Sequence, residues 1–339
     1  MAGYRFGNSA QFGTGNTISG TLCVAMGTGN TLAAGVESSL VGGSGNSLES
    51  GAKYSMVFGK ANTLSGAYTP TGTWIGGSGN NVAADYSLVI GRNCVMESGC
   101  SHAAMFGRSN TGTNSADYTI IGGFDNNVSG SYGLVVGESN FVQDGIDYTG
   151  VFGYANTAIL GATLIGGFNN TAGVASTSRG ECALVTGDGG VGRFYGGHTI
   201  SGDMFTIQGD AQTTRAMLKI QTTDATATTM LAGAYTTHLP ILANDSAVIF
   251  KAHIIARETG TDDNCAAYEL LGALDRNATA GTTALLGSVT KVVIHEDTAG
   301  WDVNATADAT NGSLDIKVTG AASENVNWVC VLDFTEVVG

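Results

Sequence analysis

The chain has 339 residues, of which 52 are Gly and only 2 are Pro, and 14 Lys and Arg stand against 28 Asp and Glu for a net charge of −14. At 43% hydrophobic and 12% charged residues it is too apolar for a disordered chain, its glycines lack the three-residue period of collagen, and no run approaches the roughly eighteen apolar residues of a membrane helix. An acidic chain without a basic cluster argues against a nucleic-acid partner.

The start, MAGYRFGNSA, shows neither the basic nor the apolar segment of an export signal, so a soluble chain without membrane insertion is expected. Cys23, Cys94, Cys100, Cys182, Cys265 and Cys330 are scattered, with no CxxC pair and no disulfide density. They are read as buried thiols, and no metal or cofactor is expected. Gly is uneven: 41 of the 52 fall in residues 1–200, which divides the chain near residue 200.

The first part is a repeat. An apolar triplet closes on Gly13, Gly27, Gly43, Gly59, Gly77, Gly91, Gly107, Gly123, Gly137, Gly153 and Gly167, in steps of 14, 16 or 18 residues. Even steps keep side-chain parity in a period-two structure, so the repeat is built of strands. Three residues after each Gly stands Asn: Asn16, Asn30, Asn46, Asn62, Asn80, Asn110, Asn126, Asn140, Asn156 and Asn170, with Cys94 in that slot after Gly91. Gly-x-x-Asn is a turn between two short strands, and stacked coils can bring the Asn side chains into a ladder. About 14 residues hold two strands and two turns, which predicts a flat, two-sided roll over residues 1–175.

The strand before the Gly is wholly apolar, as in Met56-Val57-Phe58 and Ala104-Met105-Phe106, whereas the strand after the Asn alternates, as in Asn62-Thr63-Leu64-Ser65. A thin roll buries only its inside. The second apolar face then needs a cover, and identical chains around an axis supply one, so a homotrimer is expected. Phe106→Asp should prevent its assembly, and Asn110→Asp, at a turn, should cost no more than about 1 kcal/mol.

These coils resemble the left-handed parallel β-roll of YadA-like trimeric adhesin heads, over residues 5 to 175, and the same repeats occur in bacteriophage tail-fibre and appendage proteins. An adhesin of that kind would carry an export signal and a membrane anchor. The sequence shows neither, so the resemblance favours a phage fibre.

Residues 176–214 read as a transition, in which GDGGVGRFYGGH (187–198) has no Lys for a phosphate loop and no following helix for a dinucleotide site. From 215 to 339 short alternating strands recur at 216–221, 247–257, 266–274, 285–295, 314–318 and 328–334. They predict an antiparallel β-sandwich of jelly-roll kind, so the fold class is all-β. This stretch resembles a C-terminal domain of tailed-phage fibre proteins.

His253, His295, Glu269, Glu296 and Asp297 lie in this second part, but no nucleophile elbow accompanies them and surface acids are the background of an acidic chain. No enzymatic activity is expected. Binding is favoured instead, with Trp301 and Tyr268 as a stacking platform for a sugar ring and Asp302 and Asn304 bonding its hydroxyls; Tyr235 lies nearby in sequence, and Trp328, alternating with Cys330 and Leu332, reads as core.

The resulting expectation is a structural virion fibre, assembled in the host cytoplasm, with a rigid trimeric shaft and a distal domain that recognises a host-surface glycan or protein or caps the trimer. Other virion proteins are its expected partners. A bacterial adhesin-head fragment and a tailspike-like polysaccharide depolymerase are the alternatives.

Overall fold

A computed structural model describes residues 4–6, 8–65, 70–113, 115–173, 183–233, 239–260 and 263–339; Cys182 and Tyr235 lie outside them. The chain is all-β, a parallel β-solenoid of about eleven turns with additional antiparallel sheets. It forms two compact units, Met1–Gly161 and Ala162–Gly339.

In the first unit every aligned Gly sits in a longer strand, from Ser9–Thr14 and Val24–Thr28 through Ala104–Arg108 and Ile120–Phe124 to Gly150–Tyr154. Successive longer strands pair parallel and in register, so Gly13 faces Gly27 and Gly107 faces Gly123. The two-residue strands after the Asn, such as Thr63–Leu64 and Asn81–Val82, pair in the same way on a second side. A third side, which the two-sided roll omits, is reduced to single bridges, Thr21 to Glu37 to Lys53 to Thr71 and Asp85 to Ser101.

Parity decides what is inside. The middle residue of each triplet (Val57, Val89, Met105, Ile121, Val135) and the second residue of each short strand (Leu32, Leu48, Leu64, Val82, Val128) are buried. The outer members of the triplet are not: Phe58, Ile90, Phe106, Val136 and Phe152 are 38–50% exposed. Within one chain the apolar strand is thus dry on one face only.

The aligned glycines have no substitute. Gly123 has φ +110, a region that residues with a side chain rarely adopt, and a Cβ there would stand 1.9 Å from the carbonyl oxygen of Gly137 in the next coil. Coils this close leave room for nothing larger than hydrogen.

The Asn side chains form a buried ladder. Asn126 Nδ2 donates to Asn110 Oδ1 (3.0 Å), to the Gly122 carbonyl (3.0 Å) and to the Gly137 carbonyl (2.9 Å). Its Oδ1 accepts from the backbone N–H (3.0 Å) and Nδ2 (2.9 Å) of Asn140. The same pattern joins Asn16, Asn30, Asn46, Asn62 and Asn80. The amide, with two N–H donors that these three acceptors share and two acceptor lone pairs, is the side chain that supplies both functions at one place. Asn110 is fully buried, so its position at a turn does not make it a tolerant one.

In the second unit the coils continue through the stretch read as a transition. Leu184–Asp188 pairs parallel with Leu164–Phe168, Gly187 opposite Gly167, and Val191–Gly192 pairs with Thr171–Ala172. His198–Ser201 pairs parallel with the coil before it and antiparallel with Ala211–Thr222, so this short strand converts one sheet type into the other.

Ala211–Thr222, Val326–Val338, Ser246–Glu258, Cys265–Arg276 and Thr290–Glu296 then follow side by side, all antiparallel. Thr228–Thr229, Ser313–Thr319 and Asp302–Asp308 form a second antiparallel sheet. Leu218, Phe250, Ile254 and Leu332 of the first sheet share one core with Val303, Leu314 and Ile316 of the second. Along Ser246–Glu258 burial alternates residue by residue, with Val248, Phe250, Ala252, Ile254 and Ala256 inside, as the apolar spacing predicts.

Candidate functional site

The four residues expected to bind a sugar do not form a platform. Trp301 is 2% and Tyr268 1% exposed. The Trp301 ring packs 5.6 Å from that of Trp328, and its indole N–H donates to Glu324 Oε2 at 3.0 Å. Tyr268 donates its hydroxyl to Glu296 Oε2 at 2.7 Å, and burial, with that carboxylate next, pushes the phenol pKa up. Asp302 and Asn304 lie on the opposite, solvent face of the strand that turns Val303 and Ala305 inward. Asp302 is held there by Lys291 at 2.6 Å. The aromatics of this quartet are core and its polar members are surface. Trp328 is core, as its alternation predicts.

A row of exposed aromatic rings lies instead on the first unit. Tyr86, His102, Tyr118, Tyr132 and Tyr148 stack in series with ring centroids 5.2, 4.9, 5.2 and 5.0 Å apart and interplanar angles of 4–18°. The four tyrosines are 50–65% exposed. Each of the five residues stands five places before an aligned Gly, at φ 48 to 59. Every one of these corners is fixed by its backbone N–H donating to the preceding coil, as Tyr118 does to Ser101 (2.9 Å) and Tyr132 to Asp117 (2.9 Å). The rise of one coil is close to the separation of stacked rings, so one aromatic per coil at a fixed corner becomes a continuous stack. Rings with neighbours on both faces offer ligands their edges and hydroxyls.

On the second unit, the outward face of the larger sheet mixes Met217, Ile249 and Ile255, which are 54–61% exposed, with ion pairs. Arg215 binds Asp333 through two hydrogen bonds of 2.6 and 3.0 Å, and Glu269 accepts from Lys251 (3.1 Å) and His253 (3.3 Å). The Arg215 guanidinium holds the Asp333 carboxyl below its ordinary range, and Lys251 does the same for Glu269. Both are therefore ionised carboxylates at neutral pH.

No protein-family model matches the chain, and no curated protein matches it in sequence. Among solved structures it is similar to three phage tailspikes. The tailspike of Acinetobacter baumannii bacteriophage Fri1, a capsular polysaccharide depolymerase, shares 7% identity at a TM-score of 0.24, over 93% of this chain and 67% of its own. That of Acinetobacter baumannii phage AM24 shares 10% at 0.21, over 95% and 69%. That of Acinetobacter phage vB_ApiP_P1 shares 8% at 0.19, over 96% and 80%.

The expectation that the chain has no enzymatic activity is corrected here. One of these structures is a depolymerase, and the ground for excluding catalysis, the lack of a linear motif, does not reach a pair of carboxylates brought together by folding.

Proposed function

We propose that the chain is the body of a bacteriophage tail appendage, a homotrimer of left-handed coils and a jelly-roll-like β-sandwich, that engages a bacterial surface polysaccharide. The observation that carries this reading is the outer row of the apolar strand: Phe12, Met26, Phe58, Ile90, Phe106, Val136 and Phe152, 38–50% exposed at one position of the coil, with Gly42, Gly76 and Gly122 between them. A regular apolar strip of this length is more than soluble monomers leave open, and identical chains cover it with closed symmetry. The expected mass by light scattering is three times the 34.3 kDa of one chain. Phe106→Asp should bring the mass down towards one chain while far-ultraviolet circular dichroism stays that of the folded coil, because Phe106 lies outside the coil interior. A stable monomer at micromolar concentration overturns the trimer.

The tyrosine stack takes the place of the Trp301 quartet as the surface offered to the glycan. Its hydroxyls recur once per coil, and ring edges with hydroxyls bind sugars at modest strength that three copies multiply. Tyr118→Ala with Tyr132→Ala should lower adsorption to capsulated cells several-fold, with adsorption to acapsular cells as the baseline. Unchanged adsorption sinks this assignment. Release of oligosaccharide from purified capsule in the same assay reads out whether the appendage also cleaves its receptor.

A further inference from the structure

Cys265 is set apart from the other described cysteines: Cys23, Cys94, Cys100 and Cys330 are buried, and Cys265 is partly exposed, against the expectation of a buried thiol. It opens the strand Cys265–Arg276, whose next residue, Ala266, pairs with Glu296 at the end of Thr290–Glu296. Asp297 donates its backbone N–H to the Cys265 carbonyl (3.1 Å), and Cys265 donates its own N–H to Asp297 Oδ2 (2.9 Å). Two backbone hydrogen bonds thus fix the carboxylate beside the thiol, whose Sγ lies 3.3 Å from the same oxygen. His295, two residues earlier on the same strand face, places Nε2 3.0 Å from Asp297 Oδ1. The thiol, imidazole and carboxylate donor atoms all lie within 4.8 Å of one another.

We propose that Cys265, His295 and Asp297 bind a zinc ion, with water in the fourth position. The donor set selects the metal. Calcium and magnesium require shells of oxygen, whereas one sulfur, one nitrogen and one oxygen suit a tetrahedral borderline cation. Ligands about 2.0 to 2.3 Å from such an ion stand about 3.5 Å apart, so rotation of exposed side chains by about an ångström closes the set. The hydrogen bond from the Cys265 backbone N–H to the carboxylate orients it in advance, as outer partners do in established zinc sites. Arg257, which pairs with Cys265 across the sheet, is engaged by Asp263 at 2.6 Å, which lessens its repulsion of a metal. On binding, the thiol gives its proton to solvent and the thiolate donates an electron pair to the metal; nothing is oxidised or reduced. The ion would tie the exposed strand Thr290–Glu296 to its neighbour.

An arrangement for nucleophilic catalysis is the competing use of these residues. It fails on geometry, because Asp297 stands between the thiol and the imidazole, and a base must reach the nucleophile itself.

The test titrates the full-length chain, freed of metal with a chelator, with cobalt(II) chloride as spectroscopic probe and then with zinc chloride. Expected is a thiolate-to-cobalt charge-transfer band in the near ultraviolet that saturates at one equivalent per chain and is abolished by zinc. Cys265→Ser should remove the band and weaken zinc binding by about 100-fold or more, and His295→Gln, which replaces one exposed polar side chain by another, should weaken it by about 10-fold or more. No band at one equivalent, or a band and affinity unchanged in both variants, overturns the site. Circular dichroism of each variant, matched to the parent chain, shows that a loss is not one of folding.

Discussion

Replacing Asn126 by aspartate should cost about 3 to 5 kcal/mol of stability, a large share of the 5 to 15 kcal/mol that holds a typical domain. The side chain is 1% exposed. Its nitrogen faces three acceptors, Asn110 Oδ1 and the carbonyls of Gly122 and Gly137. A carboxylate oxygen in that place has no proton to give them: Asn110 Oδ1 keeps the Asn126 backbone N–H (3.0 Å), but the Gly122 and Gly137 carbonyls lose this donor and face a buried charge instead. Urea denaturation followed by circular dichroism measures the loss, and Phe106→Asp under subunit-dissociating conditions is the control. A cost below about 1 kcal/mol, the value expected when the Asn is read as a mere turn residue, would mean that the ladder contributes little. Asn110→Asp should behave like Asn126→Asp, since Asn110 is fully buried and donates to the carbonyls of Phe106 and Gly123 at 2.9 Å each.

Arg193→Met should destabilise the second unit by about 3 to 5 kcal/mol, the cost of leaving a buried carboxylate without its cation. Glu336 is 8% exposed. It pairs with the Arg193 guanidinium, accepts from Gln212 Nε2 at 3.0 Å and accepts from the Ala243 N–H at 3.1 Å. One carboxylate therefore gathers the last coil, two neighbouring strands of the large sheet and the segment leading to a third. Glu336→Gln in the Arg193→Met background should recover part of the loss, because the charge and its partner then leave together while the amide oxygen still accepts. A double variant as unstable as Arg193→Met alone would place the cost in lost packing of the arginine stem, not in the orphaned charge.

Much of the coil was legible because a period is hard to hide. The aligned Gly, the Asn three residues on and the even steps between coils correctly identify two strands per turn and the parity of each side chain. The aromatic stack is equally regular, five residues before each Gly from Tyr86 to Tyr148, but one His interrupts it, and a residue outside any strand carries no burial pattern in the sequence. The continuation past Gly187 was hidden by the Gly-rich run that follows it, where Val191 and Gly192 replace the expected Asn-led strand.

In the second unit the alternation around Phe250 identifies its strand, but Asp302-Val303-Asn304-Ala305 lies outside the strands that the sequence predicts. Small inward residues such as Ala305 give a weak apolar signal. Trp301 looked like surface because it sits in a turn, and its burial depends on Trp328 and Glu324, which come from elsewhere in the chain. Cys265 and Asp297 are 32 residues apart, a spacing that no linear motif records.

The Asn ladder has one missing rung. Cys94 takes the backbone share of the pattern, its N–H donating to Asn80 Oδ1 at 3.0 Å, but above it stands only a thiol, 3.5 Å from the Gly107 carbonyl. A chain of amides polarises along its length, each bond strengthening the next, and a sulfur atom passes on little of that effect. Mechanically, the first unit is therefore two welded blocks, Asn16 to Asn80 and Asn110 to Asn156, joined by a softer seam at which axial tension or thermal fraying would first part the coils.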